Sequence, residues 1–364
     1  MRRLAYLGFL LAACGGSDGG GGPTGSPPDL GTTPKKWEYI PIAGTQCMNG
    51  TATGIGVNLG TSGDLVIYLE GGGACFNDET CRHVSHPEGW GPEQFEPNIA
   101  PYNIGIFDRL DDANPLRDAT FVFVPYCTGD VHAGSKPDPT NAKNFVGYGN
   151  VGHDLDFLVP KSAGVGRVII AGSSAGGFGA LINYHRTQLA FGATPVHLLD
   201  DSGPPLADQF LTPCLQQQFR DAWNLDAALP AECTACRQPD GGGMQNALGF
   251  LADAHPDRRL GIVTSTRDGT IRSFYGYGYP DCVTGAQSPL MPEDVFAQGI
   301  ADLRDRALAG HDNFRVYSKD SLVHVWLLFE LETISPTDAG GGVHLSEWVS
   351  EMLDPESDWT SVAP

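Results

Sequence analysis

Cations are scarce in this sequence: 22 Lys and Arg stand against 43 Asp and Glu, giving a formal net charge of -21 and an isoelectric point near 4.6. That balance excludes a nucleic-acid partner, because no cationic surface is available to neutralise phosphates. Most of the acidic surplus reads as a solubilising surface. Metal-ligand spacing is equally thin. Cys233-Thr234-Ala235-Cys236 is a lone C-x-x-C, and without a second pair or a nearby histidine it carries neither a zinc site nor redox chemistry. No metal and no cofactor are therefore expected. Repeats are absent, and nothing basic or of low complexity follows the first 36 residues. At 364 residues and 41% hydrophobic content, the chain is long enough to bury a full core.

The N-terminus has its own grammar. Met1-Arg2-Arg3 precedes Leu4-Ala5-Tyr6-Leu7-Gly8-Phe9-Leu10-Leu11, an apolar stretch too short to span a bilayer and typical of an export signal. It ends in Leu11-Ala12-Ala13-Cys14, which resembles the lipobox of bacterial lipoproteins and makes Cys14 the lipidated residue of a cell-envelope protein, at the outer membrane or cell surface. The predicted division is a signal peptide over 1–13, a Gly/Ser/Pro tether over 14–36 and a catalytic domain over 37–364. A lipid anchor is the only membrane contact expected, and the domain is read as a monomer. Setting Cys14 aside leaves eight of the nine cysteines, an even number suited to disulfides in an oxidising compartment. Cys75 and Cys81 are spaced to close a small loop; the pairing of Cys47, Cys127, Cys214, Cys233, Cys236 and Cys282 stays open.

Apolar, β-branched runs at 65–69, 120–124, 167–170, 196–199, 260–265 and 314–317 predict strands buried on both faces of a parallel sheet. Helix-like stretches at 145–158, 178–186 and 292–308 lie between them, the last opened by Pro292 and closed by Gly310. The alternation predicts an α/β class chain with a doubly wound, mostly parallel sheet. The 204–259 stretch is too long for a plain crossover and reads as a lid-like insertion.

In such a sheet, chemistry gathers just after each strand. Gly172-Ser173-Ser174-Ala175-Gly176 lies between a strand and a helix, the setting of a nucleophile elbow, so Ser174 is the candidate nucleophile. After 65–69 come Gly71-Gly72-Gly73, whose free N–H groups suit an oxyanion; Gly72, Gly73 and Ala175 form the candidate hole. The expected chain order then requires an acid and a histidine. Asp268 follows 260–265 and His324 follows 314–317, which makes them orienter and general base. The alternative acid is Asp201, after 196–199. Phe274, Tyr275, Tyr277 and Tyr279 stand as either a sugar-stacking wall or ordinary packing.

Four blocks in order, Leu69-Glu70-Gly71-Gly72-Gly73-Ala74-Cys75-Phe76, Pro125-Tyr126-Cys127-Thr128-Gly129-Asp130, Gly172-Ser173-Ser174-Ala175-Gly176-Gly177 and Asp201-Ser202-Gly203, resemble the pectin acetylesterase and Notum family. The resemblance implies an α/β-hydrolase fold and metal-free carboxylester hydrolysis, with the triad on Ser174, Asp268 and His324. It departs at Ala74, where plant and animal members usually carry Trp, and after His324, where no cysteine follows. The expected substrate is an acyl, and foremost an acetyl, ester on polysaccharide such as pectin or xylan, or a small acyl ester. Alternatives are a lipid-acyl esterase of Notum type and an inactive hydrolase-fold surface protein that binds a glycan or partner. A peptidase is disfavoured because no side-chain pocket is signalled.

Overall fold

The computed structural model describes residues 25–99, 102–141, 143–282, 288–338 and 340–364. The export signal and Cys14 lie outside the described residues. Of the expected tether, residues 14–24 also lie outside them, whereas 26–30 is seated on the domain: Ser26 N–H donates to the Gly164 carbonyl at 2.6 Å and Leu30 is buried. No helix among the described residues is long and apolar enough to cross a membrane.

The core is an eight-stranded mixed sheet in the order β1-β2-β4-β3-β5-β6-β7-β8. Its strands are β1 (Trp37–Gln46), β2 (Ala52–Asn58), β3 (Asp64–Leu69), β4 (Thr120–Val124), β5 (Arg167–Ser173), β6 (Val196–Asp201), β7 (Leu260–Ser265) and β8 (Phe314–Lys319). From β4 to β8 every pairing is parallel; β1 and β2 pair antiparallel at one edge. The six sequence-predicted strands are all present. Helices α1 (Pro92–Asn98), α2 (Gly147–Leu158), α3 (Ala175–Phe191), α4 (Pro213–Trp223), α5 (Asn246–Ala254), α6 (Gly269–Tyr275), α7 (Glu293–Asp302) and α8 (Leu345–Leu353) cover it.

Strand periodicity sorts the core into two layers. On β3, Leu65, Ile67 and Leu69 face the cluster that contains Val151, Leu155, Leu181 and Phe296 of α2, α3 and α7, while Val66 and Tyr68 face the one that contains Phe95 of α1 and Trp348 of α8. Burial on both faces is why these strands read as unbroken apolar runs.

Four disulfides join Cys47–Cys127, Cys75–Cys81, Cys214–Cys282 and Cys233–Cys236. Cys47–Cys127, across 80 residues, holds the end of β1 to the loop after β4; closing a loop of that length removes about 4 kcal/mol of unfolded-chain entropy. The remaining disulfides brace the loop after β3 and the 204–259 insertion. That insertion carries α4 and α5 and is tied to the glycine loop, because Trp223 Nε1–H donates to the Cys75 carbonyl at 2.7 Å.

Candidate active site

The elbow is built by close approach. Ser174 sits at φ 60° and ψ -122°, backbone that only a tightly constrained non-glycine residue holds. A Cβ on Gly172 would meet the Gly176 carbonyl oxygen at 2.2 Å, and one on Gly176 would meet the Leu69 oxygen at 1.9 Å. Both flanking glycines are therefore sterically required for β5 to turn into α3. The turn is locked by the Ser174 N–H, which donates to the Asp201 carbonyl at 2.7 Å.

Asp268 is fully buried and caps α6: Oδ1 accepts from the Thr270 and Ile271 N–H groups, each at 2.9 Å. That leaves Oδ2 facing His324 Nδ1 at 2.7 Å. The contact places the imidazole proton on Nδ1 and leaves Nε2 as a lone-pair acceptor. Nε2 is buried and unpartnered among the described residues, and His324 lines the same cleft as Ser174, about 720 Å³ in volume.

Asp201 does something different. Its Oδ2 accepts from Ser173 Oγ at 2.7 Å and from the Trp326 and Leu327 N–H groups at 2.8 and 3.0 Å. The carboxyl thus ties the strand that ends in the elbow to the loop that carries His324, and it does not touch the imidazole ring. Burial pushes its pKa up. Between the two candidate acids, the geometry pairs Asp268 with the histidine. Val325, at φ 64°, bends the loop after His324 and donates its N–H to Ser202 Oγ at 3.2 Å.

Gly72 and Gly73 hold φ of 154° and 87° beside the elbow. The N–H groups of Gly72, Gly73 and Ala175 donate to nothing among the described residues. Their carbonyls are pinned instead: Gly72 O accepts from Ser85 N–H at 2.8 Å, and Gly73 O from the Tyr126 hydroxyl at 2.9 Å. Because a trans peptide points its C=O and N–H in opposite directions, fixing the Gly72 oxygen aims the Gly73 N–H away from Ser85. Tyr126 is itself held, its hydroxyl accepting from Val131 N–H at 2.9 Å. Next to it, Asp130 is fully buried, binds Thr128 Oγ1 at 2.6 Å and Gly147 N–H at 2.7 Å, and is pushed up to a pKa of about 6 by burial.

Sequence reasoning missed Tyr126 and the tying role of Asp201. Their partners are 53 and 125 residues away, and no local pattern signals such contacts. If the glycine-loop N–H groups receive an oxyanion, Tyr126→Phe is expected to lower kcat about tenfold on p-nitrophenyl acetate with KM little changed, since such donors act on the transition state. The buried Val131 N–H left without a partner costs about 1–3 kcal/mol, read as a lowered Tm. An unchanged kcat would show that the glycine loop holds itself.

A second cavity opens behind Ser174. It is lined by Ala74, Phe76, Phe178, Phe219, Trp223 and Phe274, among others, and offers about 50 Å³ to the centre of a water molecule. Of the four aromatics that follow Asp268, Phe274 and Tyr277 line the cleft, whereas Tyr275 is buried with its hydroxyl on the Pro204 carbonyl and Tyr279 packs on the core. The expected wall is thus divided between the two uses.

Residues 38–245 match the pectinacetylesterase family. The chain belongs to that family. The match takes in the glycine loop, Tyr126, the elbow and Asp201, but ends before Asp268 and His324. Among the relatives of this chain are palmitoleoyl-protein carboxylesterase notum2 of Xenopus laevis, 33% identical over 151 residues, and palmitoleoyl-protein carboxylesterase NOTUM of Mus musculus, 32% identical over 153. Each match covers 38% of this chain and only 29% of the relative. A crystal structure of the Wnt deacylase Notum from Drosophila superposes with a TM-score of 0.64 over 90% of this chain and 95% of that one, at 20% identity. At that identity the likeness is one of fold, and it places the family member in a Notum-like α/β fold.

Proposed function

We propose that the protein is a serine carboxylesterase that removes acetyl-sized groups from a glycan. The observation that carries this reading is the buried Asp268 on His324 Nδ1 at 2.7 Å, with Nε2 bare in the cleft that Ser174 enters from a strained elbow. In this mechanism Ser174 Oγ attacks the ester carbonyl while His324 Nε2 takes its proton. The oxyanion settles on the N–H groups of Gly72, Gly73 and Ala175. Collapse expels the alcohol, which takes the proton from His324, and leaves an acyl-serine. Water then repeats the cycle and releases the acid.

The two cavities divide the substrate. The apolar one, with about 50 Å³ open to water centres against about 720 Å³ in the cleft, is the smaller and suits a short acyl group such as acetyl. A palmitoleoyl chain would require Phe219, Trp223 and Met244 of the insertion to part. The larger cleft receives the leaving group. Tyr102, Phe274 and Tyr277 line it as rings for a sugar to stack on, and among the described residues its lining carboxylates are Glu70 and Glu79, with no Lys or Arg. Glu79 is paired with Arg82 at the rim at 2.8 Å. Glu70, whose Oε2 accepts from Tyr126 N–H at 2.8 Å and whose Oε1 faces His86 Nε2 at 3.3 Å, has no Lys or Arg partner among the described residues and sets the sign inside. A neutral backbone such as acetylated xylan therefore suits the cleft better than a polyuronate. The same reading makes the protein an exported monomer anchored through a lipid on Cys14, in keeping with its disulfides.

The test is a ladder of p-nitrophenyl esters from acetate to palmitate, run beside acetylated xylan and acetylated pectin. Acetate to butyrate is expected to lead, with kcat/KM falling at least about tenfold by octanoate, because each methylene that does not fit costs on the order of 1 kcal/mol or more. A long-chain optimum would point to a lipid-acyl esterase instead. No turnover by the folded, oxidised protein would favour the glycan-binding reading.

A further inference from the structure

At the opposite end of the sheet from Ser174, below the starts of β5 to β8, lies an open pocket of about 580 Å³. Arg167, His197, Arg258 and Arg259 line it, together with Asp257 and Asp312. One of the cations and one of the acids are already satisfied. Arg167 pairs bidentately with Asp64 at 2.8 and 2.9 Å, and Asp312 pairs with Arg315 at 3.3 Å.

The others are not. Arg259 is held by neutral oxygens, the main-chain carbonyls of Glu351, Asp354, Pro355 and Ser357 and the Ser357 hydroxyl. Arg258 donates Nε to Gln188 Oε1 at 2.8 Å and Nη1 to the Asp257 carbonyl at 3.2 Å, which leaves Nη2 free among the described residues. Neither guanidinium has a carboxylate oxygen within 4.0 Å among those residues, although Asp257 stands beside them. In a chain with 43 acids and 22 bases, two arginines without a directly paired carboxylate in one pocket go against the overall balance. The charges of Asp354 and Glu351 lie near Arg259, and Arg258 is the freer of the two.

His197 adds a directed donor. Its Nδ1 accepts the Arg259 N–H at 3.0 Å, so the ring proton sits on Nε2, which has no partner among the described residues. Burial, reinforced by the three arginines, depresses its pKa to about 3 and keeps the ring neutral. The volume is that of a small-molecule site, about 300–1,000 Å³.

We propose that this pocket is a second ligand site, which takes the carboxylate or phosphate of a small acidic molecule between the Arg258 guanidinium and His197 Nε2–H. It is independent of the esterase reading and lies on a separate face. The test is isothermal titration calorimetry of the full chain with galacturonate, inorganic phosphate and, as a neutral control, galactose. At least one anion is expected to bind and galactose not. Arg258→Gln is expected to weaken binding about tenfold or more, the effect of losing a charge-assisted hydrogen bond, and Arg258→Lys to lose less. Unchanged p-nitrophenyl acetate turnover in both variants shows that they are folded. Binding of galacturonate alone identifies a uronate ligand, and binding of phosphate alone a phosphorylated one. No binding of either anion to the wild type, or equal binding by Arg258→Gln, overturns the proposal.

Discussion

Ser174→Ala is expected to reduce kcat on p-nitrophenyl acetate by at least about 10⁴-fold and to leave the fold intact. The side chain removed is small and makes no hydrogen bond among the described residues, whereas the backbone that strains the elbow is held by Gly172, Gly176 and the Asp201 carbonyl. Loss of turnover with an unchanged Tm would therefore isolate chemistry from structure. The strained φ of 60° at this position points the same way. A small non-glycine side chain still pays the backbone strain in the variant, so Ser174→Ala is not expected to gain much stability. Retention of a tenth or more of wild-type kcat would exclude Ser174 as nucleophile.

The second large effect separates the two acids. Asp268→Asn keeps an oxygen to cap α6 but presents an amide to His324, which favours the tautomer with its proton on Nε2, the one that cannot take the serine proton. A loss of about 10³–10⁴ in kcat with a folded protein is expected. Asp201→Asn should behave differently. Its carboxyl accepts three hydrogen bonds on Oδ2 and one from Ser202 Oγ on Oδ1 in a fully buried site. An amide that keeps its oxygen at Oδ2 turns its NH2 onto Ser202 Oγ, whose own proton then loses its acceptor, and the reverse orientation faces two main-chain N–H groups. Its main cost is stability, about 1–3 kcal/mol, with activity falling as the His324 loop loosens. Equal kcat losses at matched Tm would contradict this division of roles. A larger kcat loss in Asp201→Asn would reverse it.

The fold was legible wherever strands are buried on both faces, since β3 to β8 read as continuous apolar runs. The antiparallel edge was not. In β1 most residues are exposed or half-buried and Pro41 and Gly44 interrupt the pattern, while β2 carries Gly54 and Gly56. A Cβ at Gly54 would strike the Ile40 oxygen at 2.2 Å, so that glycine is needed for pairing with β1 even though it weakens the strand signal. Pro92–Asn98 was equally hidden, being short and containing Pro97.

In the site, position after a strand was enough to name Ser174, Asp268 and His324 as candidates, because the topology brings all strand ends to one edge. It was not enough to choose between Asp268 and Asp201, which both satisfy that rule. The choice depends on the path of the 320–327 loop, which drapes its main chain over Asp201 and its imidazole onto Asp268. Nor did it reveal the apolar cavity, whose walls come from β3's following loop, α3, α4 and α6 at once.

The central claim is that Ser174 is the activated nucleophile, and the most direct test is covalent capture. The oxidised protein would be treated with a fluorophosphonate, digested, and the modified residue located by mass spectrometry. The account predicts a single adduct on Ser174, absent after Asp268→Asn at short times and after Ser174→Ala at any time. An adduct on Ser173 or another serine, or none on a folded chain with its four disulfides formed, would contradict it.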